Sequence, residues 1–438
     1  MVAFAIKVGS SLLSIAMFTI AARVMQPVEF GRFAIWFNAV SFLAMIALCG
    51  QEILIVRSWT EYTQQNRFAH ARGAITFGIT VCVAAAIFLA GCLAVAASAA
   101  GWVTSPGLLV AACLFLVVQT LGWFSSNVAR TIVGFLFGEG LRESWRLVVI
   151  VGASALAFLS RSVTTTTMFA LGAVGVGAMI WLQAAVILRA MPRETRGRAT
   201  ATDVAAWIKR SLPMWAADFL DASSLYLEVI LIGLVLSPIA AGGYFVAARL
   251  ANVFAMIAGG MANYSATMIA PLFFGGQHPE LQQSLRSVSL TAAGLVTAGL
   301  LVIALGGHFL LMMFGASYVD QHAILMVLSV GTAVAALGGP SIYVLLLTGH
   351  ESLYSRVVVV GLVLRVIALV IFAPMFGAIV PAVAWTTCSI GTTIALNIVC
   401  RRLVGIDPSV LALLELAKAR VAPLPAAPAA APGEPIEP

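Results

Sequence analysis

The chain is a succession of long apolar runs separated by short polar breaks. A bilayer-spanning helix needs about 20 mostly apolar residues. Runs of that length start at about Phe4, Phe33, Ala74, Gly107, Trp145 and Thr166, and again at about Leu212, Gly242, Val288, Ala323, Leu353 and Gly377. The pattern predicts an all-α polytopic membrane protein of about twelve transmembrane helices in two six-helix bundles, 1–190 and 211–404. A basic connector, 191–210, joins them, and a tail follows over 405–438. The first run continues to about Met25 without a small-residue cleavage site, so it reads as a membrane helix and not as a cleaved leader. In the connector, Asp203 caps an apolar-basic stretch to Arg210 that suits either the headgroup plane or a solvated link. From Ala422 the tail is rich in Pro and Ala with no apolar period, a composition expected to be disordered.

Composition narrows the class. The chain is 61% hydrophobic and 9% charged, whereas soluble domains run near 45–50% apolar and about 25% charged. The net charge of +7 would point to nucleic acid in a soluble protein. Here the bias of Lys and Arg toward cytoplasmic loops accounts for it. With the amino terminus inside, 19 of the 24 Lys and Arg fall on the inner side. Three (Arg23, Arg32, Arg161) lie in outer turns and two (Arg249, Arg365) lie within spans. Both termini are then cytoplasmic. The six cysteines form no C-x-x-C pair and have no His at ligand spacing, so no disulfide framework or metal site is expected. No phosphate-binding loop occurs, which argues against direct ATP drive.

Charge within spans is concentrated between Leu212 and Pro271. A charge at the bilayer centre costs about 2.5–3.5 kcal/mol on insertion scales, so such groups face a protein interior or a water-filled path. Asp218, Asp221 and Glu228 fall close to one helical stripe. They read as a cavity wall, or, for the first two, as groups solvated at the interface. Arg249 follows on the next span.

The two halves share a signature. Pro27, Gly31 and Phe33 between the first and second runs recur as Pro238, Gly242 and Tyr244 between the seventh and eighth, each at an offset of 211 residues. An even number of helices per half gives both halves the same orientation, related by an axis along the membrane normal. The same offset aligns Asn38 with Arg249, which predicts a polar, cleft-facing position in both halves. It also aligns Lys7 with Asp218, which raises an ion pair between the first and seventh helices.

Several motifs then fall into place. Ile6-Lys7-Val8-Gly9-Ser10, Ala22-Arg23, Pro27, Glu29-Phe30-Gly31-Arg32-Phe33, Gly50-Gln51-Glu52 and Arg57 resemble the start of the polysaccharide transporter family. These are the Wzx-type O-antigen and exopolysaccharide flippases of the multidrug/oligosaccharidyl-lipid/polysaccharide exporter (MOP) superfamily. Ile232-Gly233, the run from Gly242 to Arg249, Ala270-Pro271, Phe314-Gly315-Ala316-Ser317-Tyr318, Leu347-Thr348-Gly349 and Pro374 to Ala378 extend the likeness over nearly the whole chain. Val380-Pro381 departs from it, where the family more often has Gly-Ala.

The resemblance implies a flippase, not an enzyme, in the bacterial inner membrane. It would move polyprenyl-pyrophosphate-linked oligosaccharide from the inner to the outer leaflet through a central cavity by alternating access, alongside a glycan polymerase or export machinery. Pyrophosphate cannot cross hydrocarbon unpaired, and Arg binds phosphate as a permanent bidentate donor. Arg249 is the leading candidate, with Arg23, Arg365, Asn38 and Tyr244 as further cavity residues. Snorkelling competes for Arg23 and a structural ion pair for Arg365. No cofactor is implied. Asp218, Asp221, Glu228 and Lys7 are candidates for H+ or Na+ coupling or for ion pairs. The alternative within the superfamily is a cation-coupled multidrug exporter, and a more distant one is a membrane glycan ligase or polymerase.

Overall fold

The protein is described from a computed structural model, which covers residues 2–192, 201–252, 277–339 and 351–404 and isolated positions between and beyond them. The Lys7 side chain, the Ala270-Pro271 and Leu347-Thr348-Gly349 motifs and the tail from Ala422 lie outside the described residues. Among the described residues all regular structure is helical. The first bundle holds α1 (Val2–Val24), α2 (Pro27–Ala47), α3 (Gln51–Gln64), α4 (Phe68–Ala99), α5 (Pro106–Ile132), α6 (Phe135–Arg142), α7 (Trp145–Phe158) and α8 (Thr165–Ala190). The second holds α9 (Val204–Val235), α10 (Pro238–Ala251), α11 (His278–Phe314), α12 (His322–Leu337), α13 (Glu351–Phe376) and α14 (Ile379–Val399). Phe88, Trp181, Leu305 and Phe372 point outward on four of these helices. Such an apolar exterior fits a multi-pass membrane protein, where lipid and not water is the solvent.

Helix starts follow local chemistry. Pro27 and Pro238 each occupy the first turn of their helix, where a missing N–H costs nothing. Ser237 Oγ accepts from Ala240 N at 3.2 Å, and Ser105 Oγ from Leu108 N at 3.2 Å, satisfying free N–H groups of the first turn. Thr164 and Thr167 form a reciprocal capping box at the start of α8.

Helices α2, α4 and α11 begin six to ten residues before their expected starts at Phe33, Ala74 and Val288, and three further boundaries differ. The second span breaks at Cys49 (φ 49°) and Gly50 (φ 69°), which separate α2 from α3. A Cβ on Gly50 would meet Ser211 O at 2.6 Å and Trp215 N at 2.9 Å, so the break lets α9 pack directly on the first bundle. The fifth span is split. Its regular part, α7, has 14 residues, about 21 Å of helix against a hydrocarbon core of about 30 Å. The short α6 precedes it, and Glu143 and Ser144 separate the two.

The third difference is the seventh helix, which begins at Val204 and not near Leu212, so Val204–Arg210 is the helical start of α9. Asp203 stands at its cap without a side-chain capping bond. Its first turns are clamped to the first bundle. Trp207, fully buried, donates Nε1–H to Tyr62 Oη at 2.9 Å, and Arg210 pairs with Glu61 at 3.0 Å.

The internal repeat takes a physical form at the crossing of α2 and α10. A Cβ on Gly31 would lie 1.9 Å from Pro238 O, and one on Gly242 would lie 3.0 Å from Gly31 Cα. The two repeated glycines therefore meet each other, and only glycine allows that approach. A second repeated detail lies deeper. Thr120 Oγ1 donates to Leu116 O at 2.9 Å and Ala44 O at 3.3 Å, while Thr332 Oγ1 donates to Leu328 O at 2.9 Å and Ala251 O at 3.3 Å. Each threonine ties its helix to the repeat helix of its own bundle.

Candidate functional site

Arg249 lies where the bundles meet. Its Cζ sits 4.9 Å from the ring centroid of Phe18 on α1 and 4.7 Å from that of Phe245, one turn earlier on α10. The two rings pack edge to face at 4.8 Å. Two aromatic faces are a favourable setting for a guanidinium out of water. Among the described residues Arg249 makes no ion pair. Its electrostatic neighbours are Tyr226 on α9 and Arg146 and Glu143 at the junction of α6 and α7. Arg146 pairs with Glu143 at 2.9 Å and donates to Ser10 O on α1 at 3.3 Å. Arg142 also acts on Tyr226. Three arginines from two bundles thus converge, two of them already paired, Arg146 with Glu143 and Arg142 with Glu139 at 3.6 Å.

Sequence reasoning placed Arg142 and Arg146 among the inner-side span ends and loops, with the fifth span starting at about Trp145. The available signal was the weak apolarity from Gly138 to Arg146, which marks an interrupted span and not a loop. Glu52 was likewise seen only as part of a motif. It is within electrostatic reach of Arg142, Arg130, Glu139 and Asp221, and so brings a carboxylate of the first bundle up to the acidic stripe of α9.

That stripe divides. Asp218 is 5% exposed, so solvation at the interface does not describe it, and its Oδ2 has no hydrogen-bond partner. Asp221 is exposed. Glu228 turns into a separate cavity of about 510 Å3 within the second bundle. There Arg365 Nε lies 3.0 Å from Glu228 Oε1, an ion pair without aligned hydrogen-bond geometry. Tyr244 Oη donates to Glu228 Oε2 at 2.6 Å. Arg365, Tyr244 and Glu228 are therefore one unit, distinct from the group around Arg249.

Asn38 is placed differently from the cleft-facing expectation, and Arg23 keeps the helix-end position expected of it. Asn38 is 1% exposed and donates Nδ2–H to Ala34 O at 2.7 Å, one turn back on its own helix. It belongs to the packed helix interface and not to a cleft wall, because a polar side chain without water bonds back to the carbonyl one turn earlier on its own helix. Arg23 is exposed at the end of α1 and donates Nε–H to Met313 O at 2.6 Å, near the end of α11. A cation there complements the helix C-terminus.

Solved structures decide the architecture. A multidrug resistance MATE family transporter of the MOP superfamily, in an inward-facing conformation, superposes with a TM-score of 0.72 at 11% identity, covering 95% of this chain and 96% of its own. The chain shares the fold of that transporter. The lipid II flippase MurJ, in an inward closed conformation, matches with a TM-score of 0.66 at 13% identity over 96% of this chain and 93% of its own. A eukaryotic MATE transporter matches at 0.58, 16% identity and 96% of both chains. No family model and no curated protein matches the sequence. The neighbours are transporters and a flippase, built on two bundles of transmembrane helices.

Proposed function

We propose that the protein is a flippase for polyprenyl-pyrophosphate-linked oligosaccharide, working in the bacterial inner membrane with both termini cytoplasmic, as a step in cell-surface polysaccharide synthesis. The observation that carries the reading is Arg249. It is a guanidinium between the bundles with no ion-pair partner among the described residues, and a second arginine lies within electrostatic reach. Unpaired cationic charge at such a place repels cationic cargo and suits an anion, and arginine suits phosphate in particular. The pyrophosphate would sit near Arg249, Arg146 and Arg142, and the lipid tail in the bilayer. Asp218, buried with an unpartnered oxygen, is the best-placed group for H+ or Na+ coupling. A glycan polymerase or export machinery is the expected partner.

One observation favours the second reading, a cation-coupled multidrug exporter. MATE transporters are among the matches, and one of them has a higher TM-score than MurJ. The likeness stands at 11% to 16% identity, where it speaks to fold and not to cargo.

A sidedness assay separates the two. Proteoliposomes are loaded with labelled undecaprenyl-pyrophosphate oligosaccharide and probed with an external, impermeant glycosidase. Protein-dependent exposure of the label is expected, lost in Arg249→Ala with membrane insertion intact and partly regained in Arg249→Lys. No exposure with several glycans, together with uptake of a cationic dye under an ion gradient, would replace the flippase with the exporter.

A further inference from the structure

The cavity inside the second bundle has a chemistry that the pyrophosphate reading does not use. Its volume is about 510 Å3, within the range of pockets that take small molecules. Its uncharged polar lining includes four side chains, Ser224 from α9, Asn252 just past α10, and Ser389 and Thr392 from α14, alongside Thr332, Ser341 and Thr393. None of the four has a hydrogen bond through its side chain to another described residue. By contrast, the lining Thr332 is spent on backbone carbonyls of α12 and α10. The four carry both donors and acceptors. Trp385 supplies an aromatic wall.

Charge then decides what fits. The one carboxylate, Glu228, is occupied by Arg365 on one oxygen and Tyr244 on the other. The pair is internally neutral. A cation would face the guanidinium and an anion the carboxylate, each with its counter-charge already taken. A lipid tail would leave four hydroxyl and amide groups without partners, at about 1–3 kcal/mol for each that water cannot reach. What remains is a neutral ring rich in hydroxyls. Such a ring offers donors and acceptors around its rim and C–H groups on its faces, which pack on an aromatic side chain.

We propose that this cavity is a binding site for a neutral sugar unit, with Trp385 as its stacking wall and Ser224, Asn252, Ser389 and Thr392 as its hydrogen-bonding rim. The proposal deepens the flippase reading and rests on it for the source of the sugar, the glycan of the lipid-linked substrate. The binding chemistry itself stands independently of transport.

The test uses the full chain in lipid nanodiscs, with no glycosidic detergent present. Saturation-transfer NMR is recorded with three probes: neutral disaccharides, glucuronate and choline. Transfer to the ring protons of a neutral disaccharide is expected, with little to glucuronate or choline. Trp385→Ala should weaken the affinity about tenfold. Trp385→Phe, which keeps an aromatic wall and guards against a misfolded variant, should weaken it less. Ser389→Ala combined with Thr392→Val should also weaken it, with Gly9→Ala, whose Cβ meets nothing within 4 Å, unchanged. No transfer from neutral sugars, equal transfer in wild type and Trp385→Ala, or a preference for either charged probe would overturn the site. The sidedness assay separates this failure from that of the parent reading. Sugar binding without flipping removes the flippase and leaves the site as one for free sugar. Flipping that is equal in wild type and Trp385→Ala, with no sugar transfer, removes the site and leaves the flippase.

Discussion

Glu228 and Arg365 are tolerable in a membrane helix bundle because each has the other. Their side chains are 13% and 10% exposed, so removing one leaves a buried charge without its counter-ion. Glu228→Gln or Arg365→Met alone is expected to destabilise the protein by about 3–5 kcal/mol, read as a loss of thermal stability in detergent. The double variant should recover most of it, and additive losses would mean the pair is not coupled. At this scale the sequence marks which residues are costly and leaves their partners open. Glu228 shares its helical stripe with Asp218 and Asp221, yet it pairs with a residue on α13. Asn38 is the converse. Its alignment with Arg249 is real in sequence, but the two side chains solve different problems, one bonding its own helix and the other lying between aromatic rings.

At the scale of elements, apolar run length locates helices well and their interruptions poorly. Long runs such as α5, α8 and α14 begin within a few residues of expectation, because in lipid every backbone group must bond within its own segment. The breaks at Cys49-Gly50 and Glu143-Ser144 depend on what packs beside them, and run length does not carry that. The α2–α10 crossing is the most sensitive contact between elements. Gly31→Ala places a methyl group against Pro238 O, where neither backbone can yield. Loss of folded or active protein is expected, while Gly9→Ala, whose Cβ meets nothing within 4 Å, should behave as wild type. Equal behaviour of the two would show that the crossing is looser than described.

At the scale of the molecule, the bundles are tied at both ends of the α2–α10 crossing. At one end Arg23 of α1 holds Met313 O of α11. At the other, Trp207 and Arg210 of α9 hold Tyr62 and Glu61 of α3. Alternating access requires at least one end to part. Arg23→Gln is expected to loosen its end, so that a cysteine placed at Met312 in a cysteine-free background reacts several-fold faster with an impermeant maleimide. An unchanged rate would mean that Arg23 is only a helix-end charge.

The sequence by itself determined that this is a multi-pass helical membrane protein with a duplicated six-helix plan. Span length and charge bias are set by the bilayer and need no knowledge of packing. It also singled out the residues too costly to be incidental, Arg249, Arg365, Glu228 and Asp218. Only the tertiary structure decided how they are grouped: Arg249 with Arg146 between the bundles, Arg365 with Glu228 and Tyr244 inside the second bundle, and Asp218 buried beside Glu52. A buried charge takes its meaning from its nearest neighbours, and those come from helices far apart in the chain.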